Sequence, residues 1–472
     1  MSTFSFAKKW DAVYINKLIN DGKIDKVIEH YQDAYYGKER NPLDAIKIAE
    51  LYIKKKDYAS AMQWYDKEKQ LLNSSKVNLL NYANTYRLMG EYQKALDGYL
   101  MYAANTGDAN KVMELANQCE RLLKLSAQIS SYKLDNYTYN TKYDETNLTY
   151  IRTNAVYNSI KTEGKENKQT FSINQVVRNY DAFLEPVKAY RNNIPNLIIT
   201  SLSFTKDGNM VVFAAKEKEP SKTNIKNNDK LYTAENLGGN FLNAKPLPFN
   251  SDTYTYTAPA FNNNGTTIYF ESNQTGGSGG SDIWKTSLEN GKWTKPVNLG
   301  KLVNTKFDEK SPFIVQDANE NTLYFSSNRD GGFGGFDIFT SKKTNNIWQG
   351  AELQPAPINS ADNDISIVYD NDIKSGYLSS DRKGGKGGLD IFRFTPFNLS
   401  ITVKIVDSLN SKPVDYAMVQ LMENEDKVEE GVTDNSGKLI FKVGRDKTFN
   451  IYITKDGYQP VMQEAKTLGK IS

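Results

Sequence analysis

The chain has 472 residues, of which 39% are hydrophobic and 24% charged, a composition typical of a globular protein. Its 59 Lys and Arg against 56 Asp and Glu leave a net charge of +3, which argues against the strongly basic surface of nucleic-acid-binding proteins, so we predict no nucleic-acid partner. A single Cys and a single His, Cys119 and His30, exclude an internal disulfide and a zinc site of the Cys/His type within one chain.

Residues 1–128 are predicted to form paired helices. Apolar residues recur with a period of 34, for example in the column Ile15, Ala49 and Ala83. Gly22 and Gly90 occupy the predicted turn between paired helices, where a left-handed residue is easiest. The pattern resembles tetratricopeptide repeats, which implies an α-solenoid of stacked pairs, with residues 110–125 as a capping helix. We interpret the Tyr and Ala columns as packing between helices; the alternative is a concave groove that binds a partner peptide.

A motif of an aromatic strand, a glycine-rich loop and an Asp-Ile-aromatic strand occurs at residues 269–284, 324–339 and 377–392. Asp282 and Asp337 are 55 residues apart, and Asp337 and Asp390 are 53 apart. A fixed period of this size with a β-pattern inside it predicts a β-propeller, which we place at residues 130–398.

A second repeated segment indicates the number of blades. Residues 304–309 (Asn-Thr-Lys-Phe-Asp-Glu) recur almost unchanged at 140–145, and looser versions begin at Asn193, Asn250 and Asn359. These linkers predict five blades, and six would need a cryptic blade. The last blade lacks a fourth strand on its C-terminal side. We expect residues 131–137 to supply it and so to close the ring, which removes two exposed sheet edges.

The glycine-rich loops contain the candidate interaction residues Arg329, Asp330, Asp337, Arg382 and Asp390. Arg329 and Arg382 stand at the same place in successive blades and are expected to be exposed; each is interpreted as a structural pair with a neighbouring loop carboxylate, and an interaction surface is the alternative. The Asp after each loop is interpreted as a hydrogen-bond acceptor for loop amides. Calcium prefers about six to eight oxygen ligands, so one carboxylate per loop makes a calcium site the weaker alternative. No metal or cofactor site is predicted.

Catalytic residues are not predicted either. Residues 276–280 (Gly-Gly-Ser-Gly-Gly) match the nucleophile elbow of serine hydrolases, but Phe333 and Lys386 replace Ser278 in the sister loops, and His30 lies in the helical region. The chain is therefore expected not to be an enzyme. A ligand-sensing propeller remains an alternative, with carboxylates such as Asp308 and Glu309 as candidates at its central opening, but we interpret these two as capping the entry to the innermost strand.

From residue 399 to 472, short strands separated by turn residues predict a small β-sandwich. The Lys-Pro-Val, Thr-Asp-Asn-Ser-Gly and Asp-Gly-Tyr strings resemble the carboxypeptidase-regulatory-like domain, which implies a transthyretin-like accessory domain without catalysis. The Tyr-Phe-Ser-Ser-Asn-Arg and Asp-Ile-Phe strings of the blades resemble the PD40, or WD40-like, repeats of the TolB family, which are generally binding platforms. The fold class expected is thus multidomain, with a helical part followed by all-β domains.

This domain order resembles the periplasmic OmpA-family proteins of Bacteroidota, including PorE-like components of type IX secretion and gliding motility. The resemblance implies a periplasmic, outer-membrane-associated scaffold that links secretion or gliding components to the cell wall through protein contacts. An alternative is a dedicated partner of one PorP/SprF-like outer-membrane protein for one cargo or adhesin. Peptidoglycan contact is expected only through a downstream OmpA-type domain that is not in this chain, and no signal segment is expected within it.

Overall fold

The computed structural model describes residues 10–37, 42–72, 76–127, 132–152, 154–163, 168–176, 178–179, 182–183, 187–188, 194–219, 226–316, 321–370, 375–396, 399–423, 425–443 and 447–467. The chain divides into two compact units, Met1–Leu125 and Ser126–Ser472. The first is helical and the second is built from strands, so the expected combination of a helical part with all-β structure is confirmed. None of the helices in the described ranges is long and apolar enough to cross a lipid bilayer.

The first unit contains consecutive helices, and from α1 to the 3-10 turn each contacts the next. They are α1 Ala12–Asn20, α2 Ile24–Tyr36, α3 Pro42–Lys54, α4 Tyr58–Leu72, α5 Lys76–Leu88, α6 Tyr92–Thr106, a 3-10 turn Ala109–Lys111, and α7 Met113–Ala127. Asp11 caps α1 by accepting a hydrogen bond of 2.8 Å from the backbone N–H of Tyr14. The expected capping helix thus begins as a separate 3-10 turn, and the regular helix starts at Met113.

The 34-residue pattern appears in the helical packing. Ala49 and Ala83, from one column, are fully buried, as is Tyr99 from another. The turns between paired helices carry left-handed residues at the same position: φ is +73° at Gly22, +57° at Lys56 and +77° at Gly90. The prediction that these glycines supply a left-handed turn is therefore confirmed, and Lys56 adopts the same conformation without being glycine.

The second unit begins with five antiparallel sheets, numbered here in chain order. Their strands are β1 Tyr132–Asn136, β2 Asp144–Ile151, β3 Asn154–Glu163, β4 Lys168–Val176, β5 Arg178–Asn179, β6 Ala182–Phe183, β7 Val187–Lys188, β8 Leu197–Phe204, β9 Met210–Glu217, β10 Lys230–Leu237, β11 Asn240–Pro246, β12 Tyr256–Phe261, β13 Thr267–Ser272, β14 Asp282–Glu289, β15 Lys292–Trp293, β16 Val297–Asn298, β17 Glu309–Gln316, β18 Asn321–Ser327, β19 Asp337–Thr344, β20 Ile347–Trp348, β21 Glu352–Leu353, β22 Asp364–Asp370, β23 Ser375–Ser380 and β24 Asp390–Pro396.

The first sheet has the order β2-β3-β4-β7, the second β8 to β11, the third β12 to β16, and the fourth β17 to β21. Within the described ranges, strands β5 and β6 pair with each other and with no other strand. The fifth sheet has the order β22-β23-β24-β1, so a strand that precedes the first sheet in the chain completes the last one. Tyr132 lies opposite Pro396 and Asn136 opposite Phe392, which is the pairing expected from the sequence.

The first strands of the five sheets contact one another in a closed cycle: β2 with β8, β8 with β12, β12 with β17, β17 with β22, and β22 with β2. Each of these strands contains a β-bulge in its pairing with the next strand. Serine hydroxyls from the adjacent sheet fix two of the bulges, because Ser201 Oγ accepts from Ala258 N at 3.0 Å and Ser326 Oγ from Ser366 N at 3.3 Å. The bulges therefore hold neighbouring sheets together around the axis.

The remaining strands form two further sheets, of order β25-β28 and β27-β26-β29-β30. They are β25 Leu399–Lys404, β26 Met418–Glu423, β27 Asp426–Val432, β28 Lys438–Val443, β29 Thr448–Thr454 and β30 Val461–Lys466. Phe441 from the first sheet and Val419, Leu421 and Phe449 from the second are buried in one shared core. Two sheets packed over a common core are the arrangement expected of a small sandwich.

Candidate functional site

The acidic residue after each glycine-rich loop holds the loop backbone. Asp282 accepts hydrogen bonds from the N–H groups of Ser278 at 2.6 Å and Gly279 at 2.9 Å. Asp390 accepts from Lys386 at 2.5 Å and Gly387 at 3.0 Å. Asp337 accepts from Gly334 at 3.1 Å. The predicted role of these carboxylates as acceptors for loop amides matches this geometry.

These loops pack so closely against the next sheet that only glycine fits at several of their positions. A Cβ atom on Gly279 would overlap the carbonyl oxygen of Phe307, and one on Gly334 would overlap the carbonyl group of Ala361. At the closure between the fifth and first sheets, a Cβ on Gly387 would overlap the carbonyl oxygen of Tyr143. The loops thus join consecutive sheets by backbone-to-backbone contact.

The repeated asparagine of the linkers makes a second junction. Asn304 Oδ1 accepts from Ile283 N at 2.8 Å, and its Nδ2 donates to Ile283 O at 2.9 Å. The same two bonds are made by three more linker asparagines: Asn140 with Ile391, Asn250 with Leu231, and Asn359 with Ile338. Asn193, which begins the remaining linker, lies outside the described residues.

Arg329 is not the exposed residue that we expected from the sequence. Its side chain is only 14% exposed and lies 3.1 Å from Glu309. The guanidinium also donates to Ser327 Oγ at 3.0 Å and to the carbonyl oxygen of Val303 at 2.6 Å. The expectation of exposure was wrong because the partner carboxylate lies 20 residues earlier in the chain and meets Arg329 only when the sheet folds.

Arg382 repeats this arrangement in the fifth sheet. Its side chain is 11% exposed and forms an ion pair with Asp364, and it donates to the carbonyl oxygens of Pro357 at 2.6 Å and Ile358 at 2.7 Å. Asp330 differs, because its side chain is 70% exposed and 3.8 Å from Lys306. Of the five candidates, Asp330 is thus the one whose side chain lies at the surface.

Burial of the junction acids changes their titration. Burial raises the pKa of Asp337 well above its usual range, although the Gly334 amide opposes this, and the nearby Asp364 raises it further. Burial also raises the pKa of Asp364, against the opposing charge of Arg382. Among the described residues, Asp337 Oδ1 has no hydrogen-bond partner. The described residues contain no group of three His, Cys, Asp or Glu that could hold a metal ion.

Asp308 and Glu309 do not face a central opening. Glu309 is fully buried at the start of β17, where its carboxylate accepts from Thr305 N at 2.7 Å and Ser327 Oγ at 2.8 Å. Asp308 Oδ1 accepts from Ser281 N of the preceding sheet at 2.9 Å. Both residues take part in the junctions, so the structure does not place them at a ligand site.

A cavity lies instead at the other ends of the first strands, and we call it the mouth. It has a volume of about 410 Å³ and receives residues from all five sheets. Its polar members include Arg152, Lys206, Asn263 and Gln316. These four occupy equivalent positions in their sheets. Each lies three residues after a first-strand residue that follows the bulge and pairs with the second strand. The walls include the half-buried aromatic residues Tyr150, Phe313 and Tyr369.

Sequence reasoning did not find the mouth. Its four polar residues differ in type and are spread over about 165 positions, from Arg152 to Gln316, so no repeated letter marks them. The signal that was available is positional, because each lies at the end of the first strand of its repeat or just after it. Asn263 and Gln316 bond to each other across two sheets, with Asn263 N donating to Gln316 Oε1 at 2.9 Å and Asn263 Nδ2 to Gln316 O at 3.2 Å.

Comparisons with known proteins give fold-level similarities only. No protein-family model matches the chain, and no curated protein sequence matches it. The chain is similar to the crystal structure of a thermostable family-43 glycoside hydrolase, with 11% identity, 58% of this chain and 94% of that chain covered, and a TM-score of 0.38. It is also similar to a putative TolB from Agrobacterium tumefaciens, with 11% identity, 66% and 98% covered, and a TM-score of 0.34.

A xylan β-1,4-xylosidase from Bacillus Halodurans C-125 is similar at 10% identity, with 70% of this chain and 92% of that chain covered and a TM-score of 0.33. Glycoside hydrolases therefore stand among the similar structures, and this finding contradicts the prediction that the chain is not an enzyme. The prediction was wrong to treat the missing serine-hydrolase constellation as an exclusion of catalysis. At these TM-scores the similarities assign no activity to this chain.

Proposed function

We propose that this protein is an adaptor of the bacterial periplasm that links outer-membrane components of type IX secretion or gliding motility to the cell wall through protein contacts. In this proposal the helices form a stack like that of tetratricopeptide repeats, the five sheets are the blades of a five-bladed β-propeller, and the last strands are a transthyretin-like sandwich. The cell-wall contact is made through a downstream domain. The order of these parts, which resembles that of PorE-like OmpA-family proteins, supports the assignment.

The observation that carries the proposal is an apolar surface on the sandwich. In the sheet β27-β26-β29-β30, Tyr452 lies opposite Met462, and Met418 lies opposite Val432 on the neighbouring pair of strands. Tyr452 is 43% exposed and Met462 is 60% exposed. The buried partners Val419 and Leu421 alternate with Met418, so the apolar residues stand on the outer face. Two pairs of exposed apolar residues on one sheet face, with the polar Gln420 and Thr454 beside them, form a candidate protein-binding surface.

The test is affinity capture of the protein from cross-linked cell envelopes. We expect an outer-membrane protein of the PorP/SprF-like type to be recovered, and we expect the double variant Tyr452→Ser and Met462→Ser to reduce its recovery several-fold. Ile440→Ser removes an exposed apolar residue from the other sheet of the sandwich and serves as the matched control. Recovery of no outer-membrane component, or equal recovery with all variants, would contradict the proposal.

A dedicated partner of one outer-membrane protein is the narrower form of the same proposal. Deletion of the gene separates the two forms, because a general adaptor predicts loss of export of every type IX cargo. Loss of a single cargo or adhesin, with other export intact, would favour the dedicated partner.

A further inference from the structure

We propose that a cleft between the second and third sheets binds a neutral saccharide, with the indole of Trp293 under the sugar ring and polar side chains at the rim bonded to its hydroxyls. We call it the side cleft. It has a volume of about 420 Å³ and lies farther from the axis than the mouth, because residues of the third and fourth strands line it. It is separate from the surface of the sandwich, so the inference does not depend on the adaptor role.

The side cleft exists because the second sheet has a small residue where the third sheet has an aromatic one. At the junction of the third and fourth sheets, Trp348 is 7% exposed and packs edge-on against Tyr269, with ring centroids 6.2 Å apart. Val212 is the equivalent of Tyr269 in the second sheet, since each lies opposite the residue two places after the one that the linker asparagine bonds. Valine does not reach as far as tyrosine, so Trp293, the equivalent of Trp348, remains half-buried beside an open cleft.

Trp293 offers a fixed apolar face. Its ring packs at a tilt of 36° on the buried Phe261, with centroids 6.4 Å apart. Leu288 lies opposite Trp293 in the hairpin and is 39% exposed, and Met210 of the second sheet is 37% exposed. An aromatic face is the negative end of the ring quadrupole, so it attracts the slightly positive C–H groups on the flat side of a pyranose. A ring held in place provides this contact at little cost in conformational entropy.

The rim carries donors and acceptors that are not used within the part of the chain that the structure describes. Glu235 Oε1 accepts from Asn243 Nδ2 at 3.2 Å, which leaves Glu235 Oε2 and Asn243 Oδ1 as acceptors. Asn264 Oδ1 accepts from Thr266 Oγ1 at 2.7 Å, which leaves Asn264 Nδ2 as a donor, and Lys245 Nζ is a second donor. Two donors and two acceptors around one apolar face suit sugar hydroxyls, because each hydroxyl both donates and accepts.

The balance of charge favours a ligand without net charge. Glu235 and Lys245 are the charged side chains among the described lining residues, one of each sign. The residues that flank the cleft are again one of each sign at either side, Glu289 opposite Lys292 and Lys206 beside Asp207. An anion or a cation therefore meets a repelling group as well as an attracting one.

The shape favours a small ring over a peptide strand. The volume of about 420 Å³ falls in the range of about 300–1,000 Å³ that is usual for small-molecule sites. The cleft lies between the faces of two sheets, and β10 and β14 each have a strand paired on both sides. An extended peptide that adds a strand to a sheet needs an unpaired edge, which these two strands do not offer.

The test is calorimetric titration of the full chain with the methyl glycosides of glucose, galactose, mannose and N-acetylglucosamine. Sorbitol is the matched ligand, because it has the hydroxyls of a hexose without a flat ring. We expect at least one glycoside to bind saturably at millimolar concentration and sorbitol to bind at least about tenfold more weakly. Methyl glucuronide should bind no more tightly than methyl glucoside. Trp293→Leu should weaken glycoside binding about tenfold, whereas Trp293→Phe, which keeps an aromatic face, should stay within about threefold.

A second variant tests the cleft without removing a packed side chain. Leu288→Lys reproduces the fourth sheet, where Lys343 lies opposite Trp348 and its Nζ is 5.7 Å from the ring centroid. A lysine over the indole should weaken glycoside binding at least about fivefold. Val297→Lys makes the same change at a residue of the third sheet that is 54% exposed and does not line the cleft, so it should leave binding unchanged.

Far-UV circular dichroism and the melting temperature of each variant establish that it is folded before titration. The proposal is overturned if none of the four glycosides binds saturably to the folded chain, or if Leu288→Lys and Val297→Lys have equal effects. It is also overturned if N-acetyl-leucine amide binds as tightly as the best glycoside, because the cleft would then recognise apolar peptide side chains. None of these results bears on the envelope-capture test, which reads the sandwich surface.

Discussion

At the scale of single residues, the buried asparagine of the linkers does most to fix the junctions. At Asn304, the side-chain amide presents one donor and one acceptor to the backbone of Ile283. It therefore bonds the Ile283 N–H and C=O as the backbone of a neighbouring strand would. Aspartate would have no N–H for the Ile283 carbonyl, and leucine would satisfy neither group. The repetition of Asn at four described junctions follows from this requirement.

Asn304→Ala is predicted to destabilise the protein by about 1 to 3 kcal/mol, because it leaves the buried N–H of Ile283 without a partner, whereas the Ile283 carbonyl still accepts from Leu299 N at 3.2 Å. Urea unfolding followed by tryptophan fluorescence measures the change. Asn240→Ala, at an exposed asparagine in β11, should cost less than about 0.5 kcal/mol. Equal effects of the two substitutions would show that the side-chain hydrogen bonds of Asn304 contribute nothing to stability.

Asp337 is expected to make the folding stability of the protein depend on pH in a definite direction. Its pKa in the folded state is raised by burial above the usual value of about 4, so the folded protein binds its proton more tightly than the unfolded chain does. The stability that this group contributes is complete at low pH and is lost as the pH rises through the raised pKa. Asp337→Asn keeps an acceptor for Gly334 and places N–H₂ where Oδ1 has no partner.

Asp337→Asn is therefore predicted to lose less stability between pH 5 and pH 8 than the natural protein does, and to be the more stable of the two at pH 8. Denaturant unfolding at several pH values in that window provides the measurement. Asp330→Asn, at a carboxylate that is 70% exposed, is the matched control variant. A profile of Asp337→Asn that parallels that of the natural protein would refute this account.

At the scale of elements, the glycine-rich loop is a packing surface whose shape excludes side chains. Gly334→Ala is predicted to cost at least about 2 kcal/mol, because its Cβ would meet the backbone of Ala361 in the next sheet and cannot be relieved by a rotamer change. Gly350→Ala has open space around its Cβ and is the matched control. We expect that control to be neutral or slightly stabilising in thermal unfolding. If Gly334→Ala is tolerated, the backbone at Ala361 can move to accommodate the added Cβ, which would contradict this prediction.

The sequence predicted the elements that repeat within one sheet and its linker. The glycine loop, the Asp that follows it and the linker Asn recur at a period of 53 to 57 residues, because each junction imposes the same backbone contacts. It suggested a carboxylate pair for Arg329 and Arg382 but predicted neither their burial nor their partners, since these depend on Glu309 and Asp364 meeting them in the fold. It also missed the mouth, where residues of different types converge from five sheets and no local spacing records their meeting.

At the scale of the whole molecule, one strand determines whether the five sheets form a ring. Strand β1 comes first in the chain but completes the fifth sheet, and its register runs from Tyr132 opposite Pro396 to Asn136 opposite Phe392. Lys386 Nζ adds a bond of 2.7 Å to the carbonyl oxygen of Thr138, and Leu389 N donates to Asp144 Oδ1 at 2.9 Å. The mouth requires this closure, because its walls need the first and fifth sheets side by side.

The most direct measurement is a disulfide cross-link between β1 and β24. Lys133 lies opposite Thr395, so the double variant Lys133→Cys and Thr395→Cys should form a disulfide under mild oxidation, detected by peptide mass mapping. Lys133→Cys with Thr344→Cys places the second cysteine on the neighbouring fourth sheet and should remain reduced. An efficient 133–395 cross-link in the folded protein is the result that the closed ring predicts. Absence of that cross-link, or equal cross-linking of the control pair, would contradict the ring and the mouth together.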